Sequence, residues 1–306
     1  MTINSEIEEL ILSNGELKFT ALSYGLKEKS DKPLILFLHG FPDSSRTFCS
    51  QLSALHQAGY RVLAPTLRGY ETSSQPSNKD YSLVSLCGDV IAWLDDLGEE
   101  TVHILGHDWG AAIAATVAAK HPERFISLTL LACPNIGRIT SAVWKAPHQI
   151  ITSWYMTFFQ LRGVADYFVE RNEWQLCKKL WTLWSPDYNL PEAEWEHLCD
   201  MFKIPGVKKA MLSYYRQNLS PRVFLGMKDI GAVALVPVKT LIVYGINDGC
   251  FDTRVFETIC LEEDFPDGLE MKPMDGVGHF PHLERADETN HLLINWFSRF
   301  DTQREY

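Results

Sequence analysis

No stretch of the 306-residue chain is apolar for the ~20 residues that a membrane-spanning helix requires, so no such helix is expected. Basic residues are scarce: 28 Lys and Arg stand against 39 Asp and Glu, a formal net charge of −11. Without a basic stripe, nucleic acid is not expected as a partner. The first residues, Met1 to Glu9, carry no basic region ahead of an apolar one, so no secretory leader is expected. The seven cysteines are odd in number and none forms a Cys-x-x-Cys pair. Free thiols in a reducing cytoplasm account for them most simply. Repeats and low-complexity tracts are also missing. What is present is a globular composition, 46% hydrophobic and 22% charged, in a chain long enough to bury a sizeable core.

Short apolar runs recur at Pro33 to Leu38, Arg61 to Ala64, Thr101 to Leu105, Phe125 to Ala132 and Lys239 to Tyr244. Runs of this kind suit strands buried on both faces of a parallel sheet. Ahead of them, Asn14-Gly15 between two apolar runs predicts a hairpin over Ile7 to Tyr24. Helical spacing lies between the strands. Leu83, Leu86, Val90, Leu94 and Leu97 share one face, Ala111 to Lys120 is Ala-rich and stopped by Pro122, and Leu292, Leu293, Trp296, Phe297 and Phe300 mark a last helix. The alternation predicts an α/β, mostly parallel, doubly wound sheet flanked by helices. It breaks from about Arg138 to Phe224, which holds six of the nine Trp and reads as a helical insert, or cap. The expected organisation is a core of residues 1–137 and 225–306 with the insert at 138–224.

Gly106-His107-Asp108-Trp109-Gly110 joins the third of these parallel runs to the Ala-rich helix. This is a Gly-x-nucleophile-x-Gly elbow with Asp in place of the commoner Ser. Its glycines permit a sharp strand-to-helix turn that presents Asp108 at the carboxyl end of the sheet. A carboxylate is ionised at neutral pH and needs no base in order to attack. As a modest nucleophile it suits strained or activated sp³ carbon. Attack leaves an alkyl ester that a second step must hydrolyse.

That step needs a base. His279 supplies one, in Gly276-Val277-Gly278-His279-Phe280 before the last helix. An acid must orient it, and Asp248 follows the Lys239 to Tyr244 run, with Asp252 as a nearby competitor. The order nucleophile, acid, histidine is the order of this elbow architecture. Backbone N–H groups of Phe41, in His39-Gly40-Phe41-Pro42, and of Trp109 are the expected oxyanion hole. A cis bond before Pro42 is expected to fix the first of these loops.

These motifs resemble the α/β-hydrolase superfamily, and within it the epoxide hydrolases, along nearly the whole chain. Arg68-Gly69-Tyr70 with Ser73 looks like a further loop of that family, though Thr66 and Tyr70 depart from its common pattern. The resemblance implies two insert tyrosines that serve as acids toward the epoxide oxygen. Ser153-Trp154-Tyr155 with Phe158-Phe159-Gln160 looks like the first motif, and Ser213-Tyr214-Tyr215-Arg216 like the second. Tyr155 and Tyr215 are thereby assigned, with Tyr214 as the alternative to Tyr215. Tyr155, Tyr215, Trp109 and Phe41 would line the substrate site. The implied substrate is a small hydrophobic epoxide, with water as the second reactant. No cofactor, metal or membrane partner is implied. A haloalkane dehalogenase shares the Asp nucleophile and the Trp after it, but its second halide donor is often an Asn where this chain has Phe41. A non-catalytic ligand-binding relative is the remaining alternative.

Overall fold

The computed structural model describes residues 7–27, 30–141, 146–224 and 230–303. The leader expectation at residues 1–6 and the segment boundary at 225 lie outside these. Eight strands form one sheet in the order β1-β2-β4-β3-β5-β6-β7-β8. The hairpin comprises β1 (Glu8–Asn14) and β2 (Leu17–Tyr24), and β2 pairs antiparallel with β4 (Arg61–Pro65). The other pairings, through β3 (Leu34–Leu38), β5 (Val102–His107), β6 (Phe125–Leu131), β7 (Thr240–Gly245) and β8 (Leu269–Met274), are parallel. The period of two divides each strand between two cores: Leu34, Leu36 and Leu38 enter one cluster, Ile35 and Phe37 the other. Both faces are apolar because both are covered.

Helices α1 (Cys49–Gln57) and α12 (Ala286–Phe297) cover one face, and α2 (Leu83–Leu97) and α3 (Trp109–Lys120) the other. Helix α2 starts at Ser82, whose hydroxyl accepts the Ser85 N–H, and ends at Gly98 in the left-handed region at φ 70°. Between β6 and β7 lie α4 (His148–Thr152), α5 (Trp154–Phe159), α6 (Val164–Trp184), α7 (Glu192–Lys203), α8 (Val207–Asn218) and α9 (Pro221–Phe224). Helix α6 is interrupted. Asn172, Glu173 and Trp174 take positive φ, and this break buries Trp174 against Phe202. Helices α10 (Thr253–Ile259) and α11 (Pro281–Glu284) sit beside β7 and before α12. Among the described residues, no helix is long and apolar enough to cross a membrane.

Strand β8 was not expected. Its Leu-Glu-Met-Lys-Pro-Met sequence is half exposed at the sheet edge, so it lacks the continuous apolar run that marks β3, β5 and β7. Helices α1 and α10 also carried no reading.

One buried ion pair ties the loop after β4 to α2. Arg68 donates Nε and Nη2 to the two oxygens of Asp89, both at 2.6 Å, and both side chains are nearly inaccessible. Removing one partner leaves the other charge buried and unpaired. Arg68→Met is expected to lower unfolding free energy by about 3–5 kcal/mol. Urea unfolding measures this, and a loss below ~1 kcal/mol would show that Asp89 finds another partner.

Candidate active site

The strand–helix turn at Asp108 is held by contact between backbones. A Cβ on Gly106 would lie 2.2 Å from the Gly110 carbonyl oxygen, and one on Gly110 would lie 2.0 Å from that of Leu38. The glycines let β5, α3 and the end of β3 meet at that spacing. Asp108 itself takes φ 50° and ψ −117°, a conformation a non-glycine residue adopts only when its surroundings impose it. The turn brings its carboxylate to the loop after β3. There the Phe41 N–H donates to Oδ1 at 2.8 Å, and the Phe41–Pro42 peptide is cis, as anticipated. Trp109 follows in the first turn of α3, where backbone N–H groups lack partners within the helix.

The other Asp108 oxygen faces His279, with Oδ2 3.5 Å from Nε2. On its far side, His279 Nδ1 lies 2.9 Å from Asp248 Oδ2. Asp248 Oδ1 accepts the Cys250 and Phe251 N–H groups, which fixes the carboxylate. Asp252 does not compete: it caps α10 and pairs with Arg254. Burial alone would raise the Asp108 carboxyl, but His279 overcomes this and holds it below the usual range. Burial alone would depress His279. The Asp248 charge leads the opposing effects, followed by Cys250 and the hydrogen bonds to Asp108 and Asp248, and they hold the imidazole well above its ordinary value.

The two tyrosines expected here come together from α5 and α8, with ring centroids 5.8 Å apart. Tyr215 packs edge-on against Trp109 and Phe41, each at 5.2 Å. Its hydroxyl is buried and has no hydrogen-bond partner among the described residues. The Tyr155 hydroxyl lies 3.3 Å from Cys250 Sγ. Burial pushes both phenols well above their ordinary value, so they are neutral donors. Tyr214 is directed elsewhere, donating to the Arg68 carbonyl at 2.8 Å.

Several contributors escaped the sequence reading. Glu284 clamps the His279 loop, accepting the Gly278 N–H at 2.8 Å and the Phe280 N–H at 3.1 Å. The end of α6 clamps it too: the His279 N–H reaches the Trp184 carbonyl at 3.0 Å and Ser185 Oγ at 2.9 Å, and the Ser185 hydroxyl donates to Glu284. Trp181 stacks on Phe280 at 3.6 Å and donates Nε1–H to the Pro42 carbonyl. From α4, the Gln149 side chain donates to the Cys250 carbonyl and accepts the Asp252 N–H. Near Asp108, one ligand-type atom each from Asp43, His107 and His282 lies within 4.8 Å of the other two, all three residues buried. His107 Nε2 meets the His279 carbonyl at 2.9 Å. The Gly-His279-Phe-Pro-His282-Leu-Glu284 run was the available signal for Glu284 and His282. Nothing local marks Ser185 or Gln149.

The family model described as alpha/beta hydrolase fold matches residues 33–286. The chain is 31% identical to the AB hydrolase superfamily protein YfhM of Bacillus subtilis, over 88% of this chain and 91% of that protein. It is also 31% identical to human Epoxide hydrolase 4, over 86% of this chain and 71% of that one. A solved epoxide hydrolase from Bacillus megaterium, complexed with a naphthyloxy-propane-1,2-diol product, superposes with a TM-score of 0.82 at 25% identity, covering 94% of this chain and all of that one. The chain is an enzyme of the α/β-hydrolase family and belongs to its epoxide hydrolases.

The buried histidines predict an acid response. Burial lowers His39 to about 4 and His107 to about 3, and holds His282 well below its ordinary value. Between those values and the ~6.5 of the unfolded chain, the unfolded state binds more protons, so stability falls as pH drops. Asp43 opposes this, since burial raises its carboxyl to about 7 and it favours the folded state progressively as pH falls from 7 toward 4. Three histidines outweigh one carboxyl. The unfolding free energy, measured by urea titration, is expected to fall between pH 6.5 and 4.5, by up to ~1.4 kcal/mol per pH unit for each unbalanced proton. His107→Gln should flatten that slope, and an equal slope in the variant would mean that His107 is already charged when folded.

Proposed function

We propose that this chain opens a hydrophobic epoxide to a vicinal diol through an ester on Asp108. The observation that carries the reading is the Tyr215 hydroxyl: buried, 1% exposed for the residue, and without a hydrogen-bond partner among the described residues. A buried donor left unmatched costs free energy, and an epoxide oxygen would match it. The bound aromatic diol in the Bacillus megaterium relative supports a substrate of this kind. In this reading residues 138–224 are a cap over a core of 1–137 and 225–306.

Asp108 Oδ2 attacks one epoxide carbon while the C–O bond on that carbon breaks. The released alkoxide is held by the Tyr155 and Tyr215 hydroxyls and takes a proton from them. Oδ1 stays on the Phe41 N–H, already the position of an ester carbonyl. Esterification also changes His279. The hydrogen bond to the Asp108 carboxylate is one of the influences that keep the imidazole protonated. Once Asp108 is a neutral ester that influence is gone: the imidazolium proton passes to the tyrosinate left by ring opening, and the neutral His279, oriented by Asp248, can then accept a proton from water. The hydroxide adds to the ester carbon, the Phe41 and Trp109 N–H groups hold the oxyanion, and the diol leaves as the carboxylate re-forms. The cycle calls on no metal or organic cofactor.

His279→Gln incubated with styrene oxide should accumulate an adduct of the full epoxide mass, mapping to the peptide that contains Asp108. An adduct from 1-chlorobutane and none from the epoxide would transfer the assignment to haloalkane dehalogenation. No adduct from either, across a broader panel, would leave a ligand-binding relative. For the tyrosines, Tyr215→Phe is expected to lower kcat for styrene oxide by roughly 10²–10⁴. Tyr214→Phe should change it by less than about tenfold, and the reverse ranking would exchange the two assignments.

A further inference from the structure

Cys250 has no part in that cycle, yet its sulfur lies inside the site. It follows Asp248 by two residues, and its backbone N–H is bound to Asp248 Oδ1 at 2.6 Å, so its position is fixed with the acid loop. The side chain is fully buried and approaches the Tyr155 hydroxyl. One carboxylate oxygen of Asp108, one ring nitrogen of His279 and Cys250 Sγ all lie within 4.8 Å of one another. His279 is itself fully buried, and its Nε2 faces the Asp108 carboxylate at 3.5 Å.

Oxygen, nitrogen and sulfur in that combination are ligands for a borderline or soft divalent cation, Zn²⁺ being the common case. With metal–ligand bonds of ~2.0–2.3 Å, tetrahedral ligands stand roughly 3.3–3.8 Å apart. The Asp108–His279 pair, at 3.5 Å, already meets that spacing. The outer arrangement fits as well. A metal-bound histidine usually gives its other ring N–H to a carboxylate, and His279 Nδ1 faces Asp248 at 2.9 Å.

We propose that Asp108, Cys250 and His279 form an inhibitory binding site for a divalent cation of the Zn²⁺ class. Binding displaces the thiol proton and the Nε2 proton of the imidazolium to solvent and forms metal bonds to Sγ, the Asp108 carboxylate and His279 Nε2. The attacking oxygen and the base are then both occupied. The inhibitory consequence rests on the functional reading above, whereas cation binding does not.

The full-length protein titrated with Co²⁺ tests the site directly. A thiolate-to-cobalt charge-transfer band in the near ultraviolet is expected, reversed by Zn²⁺, absent in Cys250→Ala and retained in Cys133→Ser. In parallel, Zn²⁺ should inhibit styrene oxide hydrolysis, and Cys250→Ala, measured against its own metal-free rate, should require about tenfold more Zn²⁺ or beyond. No band in the wild type, or a band that survives Cys250→Ala, overturns the site. A Cys250-dependent band in a protein that turns over no epoxide leaves the cation site standing and removes the functional reading. Turnover without the band does the reverse.

Discussion

The arrangement depends on keeping a buried carboxylate charged. Asp108 is buried, where a lone carboxylate would take up a proton and become neutral. The Phe41 N–H on one oxygen and His279 facing the other prevent this. His279 sits between Asp108 and Asp248, and Asp248 is satisfied by two backbone N–H groups of its own loop. Each charge is stable only while its neighbour is present. The contacts around the group serve chiefly to hold Asp108, at the end of β5, and Asp248, after β7, on either side of a single imidazole, with the loop after β3 bound to Asp108.

Much of the fold was legible because the central strands are buried on both faces and therefore read as unbroken apolar runs. The runs at Pro33 to Leu38 and Lys239 to Tyr244 became β3 and β7 with shifts of one residue. The limit of that signal is also physical. Strand β8 lies at the sheet edge and needs no such run. The interruption of α6 at Asn172 to Trp174 could not be read either, because burial of Trp174 against another helix sets it, and no local preference does.

For the site, local constraint separates what was readable from what was not. Asp108 and His279 are flanked by glycines that close backbone approach demands, so their spacing is written along the chain. Tyr215 and its neighbour Tyr214 could be ranked only by resemblance. The structure separates them by helix rotation, which points one hydroxyl to the Arg68 carbonyl and leaves the other beside Trp109. Ser185 and Gln149 act through partners about a hundred residues distant in sequence, and their own surroundings carry no mark of it.

The Ser185 contacts bear on redesign. The last turn of α6 receives the His279 N–H on the Trp184 carbonyl and Ser185 Oγ, and the Trp184 carbonyl also accepts the Gly249 N–H, so one helix end supports both loops of the charge cluster. A helical segment transplanted here from a relative would replace the Trp184 and Ser185 contacts along with the Tyr155 ring that packs on Trp184. Chimeras joined on the core side of Ser185 exchange the helical segment and alter the alignment of His279 in the same cut. Chimeras joined before Trp184 keep the two apart.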